Sequence, residues 1–128
     1  MLVLPGGLDG AERLTQCEVT QQLIQRLARE GKYIAAICSG PIALVPHRIL
    51  QGRRFTAAPS VESRVREHGS FCDQRVVIDE NLITSRLPGT AMEFALALVE
   101  VLEGKEKAAK MSRGLMVSVP TRSESRPS

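Results

Sequence analysis

The 128 residues include no tryptophan, one tyrosine and three phenylalanines. Aromatic platforms for stacking bases are therefore scarce, which argues against a nucleic-acid-binding surface. No run of about 18 apolar residues occurs, so no membrane-spanning helix is expected. The N-terminus lacks a basic region followed by an apolar stretch, the pattern of a secretory signal. Cysteines number three (Cys17, Cys38, Cys72). An odd count at irregular spacing fits neither a disulfide framework nor a zinc site, and a reducing cytoplasm is the expected compartment. The net charge of +3 is also local. Arg113, Arg122 and Arg126 against Glu124 leave a net of +1 before Met111. What remains is an ordinary globular composition, 43% apolar and 24% charged, long enough for one domain.

Short apolar runs alternate with helical periodicity. Leu2-Val3-Leu4, closed by Pro5-Gly6-Gly7, reads as a buried strand. Leu8 to Leu14 reads as a loop, and Thr15 with Glu18 has capping-box spacing for a helix carrying Val19, Leu23, Ile24, Leu27 and Ala28. Gly31 stands where a C-terminal cap belongs. Tyr33 to Ile37 predicts a second buried strand, followed by a helical segment that Pro46 ends. Phe55-Thr56 predicts a short strand, and Ser60 to Glu67 a polar helix capped by Ser60. Val76 to Ile78 and Leu82 to Thr84 predict a hairpin around a three-residue turn, Asp79-Glu80-Asn81. Gly89 to Leu102 predicts a helix buried over most of its circumference, because Glu93, Glu100 and Glu103 share one stripe. The fold class is α/β with a mostly parallel sheet covered on both faces.

Cys38 falls where a buried strand meets a helix, the carboxyl end at which open α/β sheets bind ligands. A nucleophile on such a strained elbow needs small neighbours two residues away, and Ala36 and Gly40 are small. A helix N-terminus behind it favours thiolate over thiol, and the Ser39 N–H could hold an oxyanion. Two readings stand on this local pattern, a nucleophile and a buried structural cysteine. Gly7 by itself reads as an ordinary tight turn and, if its strand adjoins that of Cys38, as a second oxyanion donor. Cys17 and Cys72 read as bystanders, His47 and His68 as solvated side chains, and Arg53-Arg54 as a solvated turn.

Together, Leu2-Val3-Leu4-Pro5-Gly6-Gly7, Ala35-Ala36-Ile37-Cys38-Ser39-Gly40-Pro41, Leu82-Ile83-Thr84-Ser85-Arg86 with Pro88-Gly89-Thr90, and Glu93-Phe94-Ala95-Leu96 resemble the ThiJ/PfpI family. The resemblance runs from Leu2 to about Lys110. It implies a flavodoxin-like three-layer sandwich, a homodimer, a reactive cysteine at Cys38 and oxyanion donors at Gly7 and Ser39, with no metal or organic cofactor. Family activities are glyoxalase (methylglyoxal to lactate) and deglycase, hydrolase-like reactions on small reactive carbonyls. Others are oxidative-stress sensing, chaperoning and, in one branch, intracellular proteolysis.

Three departures qualify these expectations. Full-length members carry about another third of chain before the Pro-Gly-Gly segment, with the first strands, a helix and a catalytic glutamate. This chain is thus expected as a truncated domain over 1–110, with 111–128 a largely disordered tail. Ala57-Ala58-Pro59 lacks a histidine common before that proline, and Leu87 replaces a usual glycine. The expected function is cysteine-dependent chemistry on small carbonyls or glycated groups, weak in this chain alone, so that whether it is itself an enzyme stays open. The alternatives are a redox-sensing chaperone acting through Cys38 oxidation, and a non-functional fragment with an exposed sheet edge.

Overall fold

The computed structural model describes residues 1–117. Its elements are β1 (Leu2–Leu4), α1 (Leu8–Gln16), α2 (Glu18–Arg29), β2 (Ile34–Ile37), β3 (Arg54–Phe55), α3 (Glu62–Val65), β4 (Ser70–Phe71), β5 (Val76–Asp79), β6 (Leu82–Ser85), α4 (Ala91–Glu103) and α5 (Lys105–Gly114). Short 3-10 segments at Gly40–Leu44, Pro59–Val61, Arg66–His68 and Pro88–Thr90 link them.

The main sheet has the order β1-β2-β6-β5. β1, β2 and β6 are parallel, and β5 runs antiparallel at one edge. β1 forms the other edge of the described sheet, with Val3 44% exposed. Continuous apolar strands are what a sheet covered on both faces requires. Ile34 and Ala36 of β2 pack into one core with Leu4, Ile24, Leu44 and Leu82, while Ala35 and Ile37 pack with Ile83, Phe94 and Ala97 on the opposite face. The result is the α/β three-layer arrangement expected from the sequence. β3 and β4 pair as a separate two-stranded sheet. Phe55 meets Phe71 edge to face at 5.7 Å, and the Arg66 and Arg86 guanidinium groups lie over the Phe71 ring.

Several local expectations are corrected. Leu8 to Leu14 is helix, not loop, because Leu8, Ala11 and Leu14 share a face and Ala11 is fully buried. Thr15 does not cap; its hydroxyl donates back to the Ala11 carbonyl at 2.8 Å. The chain breaks instead at Cys17, whose extended backbone starts α2. Val19 stays 74% exposed, and Gln21 is buried in its stead, donating to the Leu14 and Ala43 carbonyls. Gly31 does end α2 at φ 67°, with the Gly31 and Lys32 N–H groups closing onto Ala28 and Leu27 as a Schellman cap. After Cys38 a 3-10 segment forms, with Pro41 near its start. The segment around Ser60 is likewise mixed 3-10 and α-helix, and Ala58 with extended backbone, not Ser60, precedes it. The hairpin turn is Glu80-Asn81, since Asp79 pairs with Leu82. α4 is buried on one face only, leaving Met92 and Leu102 about half exposed. α5 continues past Lys110 to Gly114. The remainder of the expected tail, from residue 118, lies outside the described residues.

Candidate active site

Because β1, β2 and β6 are parallel, their carboxyl ends share one edge of the sheet, and the sequence delivers three different things there. β1 ends in Pro5-Gly6-Gly7, β2 in Cys38 and β6 in Arg86.

Cys38 adopts φ 63°, a left-handed conformation that a residue with a side chain rarely takes and that costs about 1–2 kcal/mol. Its backbone is held there from two sides. The Cys38 N–H donates to the Ser85 carbonyl at 3.0 Å, continuing the β2–β6 ladder. The Cys38 carbonyl accepts from the Ala58 N–H at 2.8 Å. Cys38 as a whole is partly exposed. The elbow also needs small neighbours for reasons that the structure makes specific. A methyl on Gly6 would sit 2.6 Å from Cys38 Cβ and 3.3 Å from Sγ, so the bare Gly6 backbone abuts the thiol. A methyl on Gly40 would sit 2.8 Å from the Leu4 carbonyl oxygen, so Gly40 lets the elbow close onto the end of β1.

Gly7 follows directly, at φ 89°, and starts α1; its carbonyl accepts from Ala11. The Gly7 and Ser39 N–H groups donate to no backbone carbonyl of the described residues. The Ser39 side chain is buried, and its hydroxyl has no hydrogen-bond partner there. The helical segment behind Cys38 is five residues of 3-10 helix. Any help to a negative sulfur or oxyanion therefore comes from individual N–H groups, since a macrodipole needs a longer aligned stack.

Two residues to which the sequence reading assigned no role in the site complete the wall. Ala58, at the position where the family resemblance implies a frequent histidine, is buried and touches the site through its N–H. Arg86 donates through Nε to the Ala57 carbonyl at 3.1 Å and pairs with Asp73, so it fixes the segment that carries Ala58. The available signal was an arginine directly after an apolar strand, where a charged group must be paired to be half-buried. Leu87 adopts extended backbone, φ −150°, and is 41% exposed; the replacement of glycine causes no strain.

The other candidates separate. Cys72 is buried, and burial pushes its thiol up from the ordinary value. Cys17 is exposed, and hydrogen bonds from the Thr20 hydroxyl and N–H, with the Val19 N–H, hold its thiol below the ordinary value. It is thus better disposed to ionise than a bystander would be. His47 Nδ1 accepts from Gln25 at 2.9 Å, and His68 lies beside Glu67. Arg53 and Arg54 are not a solvated turn. Arg53 is pinned to Asp79 and Asn81, and Arg54 opens β3 with its guanidinium on the Ile78 carbonyl. Among the described residues no cluster of His, Cys, Asp or Glu could hold a metal ion, and no helix is long and apolar enough to cross a membrane.

A cysteine on a left-handed elbow at the carboxyl edge of a parallel sheet has the geometry of the nucleophile elbow of α/β proteins. Residues 1–101 match the family model described as DJ-1/PfpI family. The chain belongs to the DJ-1/PfpI family. It is 40% identical over 119 residues to Protein dj-1beta of Drosophila melanogaster, covering 92% of this chain and 64% of that protein. It is 39% identical to the Caenorhabditis elegans protein named glutathione-independent glyoxalase DJR-1.2, covering 92% of this chain and 63% of that one. The crystal structure of Drosophila melanogaster DJ-1beta superposes with a TM-score of 0.88 at 42% identity, over 91% of this chain and 63% of that one. The chain thus spans less than two thirds of these relatives.

Proposed function

We propose that Cys38 is the nucleophile of a glyoxalase- or deglycase-type reaction on small reactive carbonyls, methylglyoxal being the representative substrate. The observation that carries this reading is the clamped left-handed Cys38, with Gly6 against its sulfur and two uncommitted amides, Gly7 and Ser39, on adjoining turns. The name of the C. elegans relative supports the same reaction class.

In this reading the thiolate adds to the aldehyde carbon, forming a C–S bond and an oxyanion that the Gly7 and Ser39 amides receive. A proton then leaves that carbon and is returned to the neighbouring carbonyl carbon. The first carbon is oxidised as the second is reduced, and a lactoyl thioester results. Water cleaves the thioester, releasing lactate and restoring the thiol. No external oxidant or reductant is needed. Among the described residues no carboxylate or imidazole hydrogen-bonds to the Cys38 sulfur, so addition is expected to outpace the proton transfer that follows. Homodimer formation belongs to the same proposal.

The test is lactate released from methylglyoxal by the wild type, Cys38→Ala and Cys17→Ala. Loss in Cys38→Ala alone supports the reading, and equal yields from all three overturn it. A redox-sensing role is the second reading, favoured by the partial exposure of Cys38 on its elbow.

A further inference from the structure

At the opposite end of the sheet from Cys38 lies a cavity of about 230 Å³. Ile34 and Leu82, the register-paired first residues of β2 and β6, form its floor with Ile49. β2 separates this floor from the elbow by four residues, roughly 13 Å of strand. The polar lining consists of two cations, Arg48 and Arg53, and two amides, Gln51 and Asn81, with Arg48 and Gln51 on the exposed side.

The hydrogen bonds already made show which donors are committed. Arg53 spends one nitrogen on the Asp79 carbonyl and Asn81 Oδ1, and its Nε lies 3.7 Å from the Asp79 carboxylate without a hydrogen bond to it. Asn81 in turn donates to the Lys32 carbonyl, which fixes its acceptor oxygen toward Arg53. Asp79 thus balances Arg53 and also accepts from the Arg54 N–H. Arg48 has no such partner among the described residues. Its backbone is held at φ 55°, unfavourable for any residue but glycine, by a turn whose N–H groups run from Arg48 to Val45 and from Gln51 to Arg48. The lining therefore offers one unbalanced positive charge and uncommitted N–H donors above an apolar floor, with no carboxylate lining it. That is a complement for a small oxyanion, since a planar guanidinium matches phosphate or carboxylate oxygens in pairs. The volume lies below the 300 Å³ and upward usual for drug-sized ligands, which limits the occupant to a small anion.

We propose that this cavity, formed by Arg48, Gln51 and Arg53 at the amino-terminal edge of β2 and β6, is an anion site for a phosphate or small phosphate monoester, separate from the Cys38 site. The proposal does not depend on the carbonyl chemistry.

The experiment is calorimetric titration of the full chain with inorganic phosphate and with glycerol phosphate, at constant ionic strength, repeated on Arg48→Gly and Gln51→Glu. Saturable binding with a Kd of about 1 mM or tighter is expected for the wild type. Either substitution is expected to weaken it at least tenfold. Arg48→Gly relieves the left-handed strain, so it should unfold at the wild-type temperature or above, which separates lost binding from lost fold. Tighter binding of the monoester than of phosphate identifies an organic ligand, and the reverse identifies the free ion; both support an oxyanion site. No saturable heat, or equal affinity in wild type and Arg48→Gly, overturns the proposal. A general stabilisation by phosphate that both proteins share is surface exclusion and also counts against it.

Discussion

The sharpest structural consequence concerns Gly6. Replacing it with alanine sets a methyl carbon 2.6 Å from Cys38 Cβ, about 1 Å inside the contact distance of two carbons. Neither side yields easily. Cys38 is tied to Ser85 on one side and Ala58 on the other, and a second atom, the Ile37 carbonyl oxygen, would lie 3.2 Å away. Overpacking of this kind costs about 1–3 kcal/mol. At an m-value near 2 kcal/mol/M, a cost of about 2 kcal/mol lowers the urea midpoint by roughly 1 M. Gly10→Ala is the matched control. Gly10 lies inside α1 with nothing within 4 Å of an added Cβ, so alanine there should raise stability by about 0.5–1 kcal/mol. The second assay is the rate at which iodoacetamide alkylates Cys38, resolved by peptide mass spectrometry. Gly6→Ala should shift the elbow and change that rate severalfold, whereas Gly10→Ala should leave it at the wild-type value. Equal midpoints and equal Cys38 rates for wild type and Gly6→Ala would refute the geometry from which the argument starts.

The three thiols should also differ in the folded chain. Cys72 should resist alkylation until urea unfolds the protein, because it is buried and its thiol is pushed up. Cys17 should react with a pH midpoint below that of an ordinary cysteine, since its thiolate is the hydrogen-bonded form; Thr20→Val should move that midpoint upward, and an unchanged midpoint would dismiss the Thr20 contact. Arg86→Met leaves the Ala57 carbonyl without its charged donor and should cost about 1–3 kcal/mol in urea unfolding, while Arg66→Met, also over Phe71 but more exposed, should cost less.

What could be read in advance follows how much physics each segment carries by itself. Tyr33 to Ile37 is apolar at every position, which only a strand buried on both faces explains, and Ser39-Gly40-Pro41 after it marks a tight exit. The elbow at Cys38 was legible for that reason. Strain at the elbow was read too, but not the bonds that hold it, because the Ser85 and Ala58 partners come from distant parts of the chain. α1 was hidden by Gly10 and by charges at Asp9, Glu12 and Arg13, which mask a narrow apolar face. β3 was read one residue late, as Phe55-Thr56, and its partner β4 was missed, because two residues are too short to show alternation and the pairing is marked by Phe55 meeting Phe71 edge to face. Arg53 and Arg54 looked solvated because their partners Asp79, Asn81 and Ile78 belong to the β5–β6 hairpin, about 25 residues further along the chain. Cys17 was misplaced along with the start of α2.

The central claim is that the Cys38 sulfur is the atom that meets the carbonyl. The most direct measurement is site-resolved alkylation by iodoacetamide of the full chain, with and without methylglyoxal. Reversible addition to Cys38 should protect that one thiol in a saturable way, with the exposed Cys17 as the internal reference and protected far less. Cys38 labelled at the same rate throughout, or protection of Cys17 equal to that of Cys38, would contradict the account.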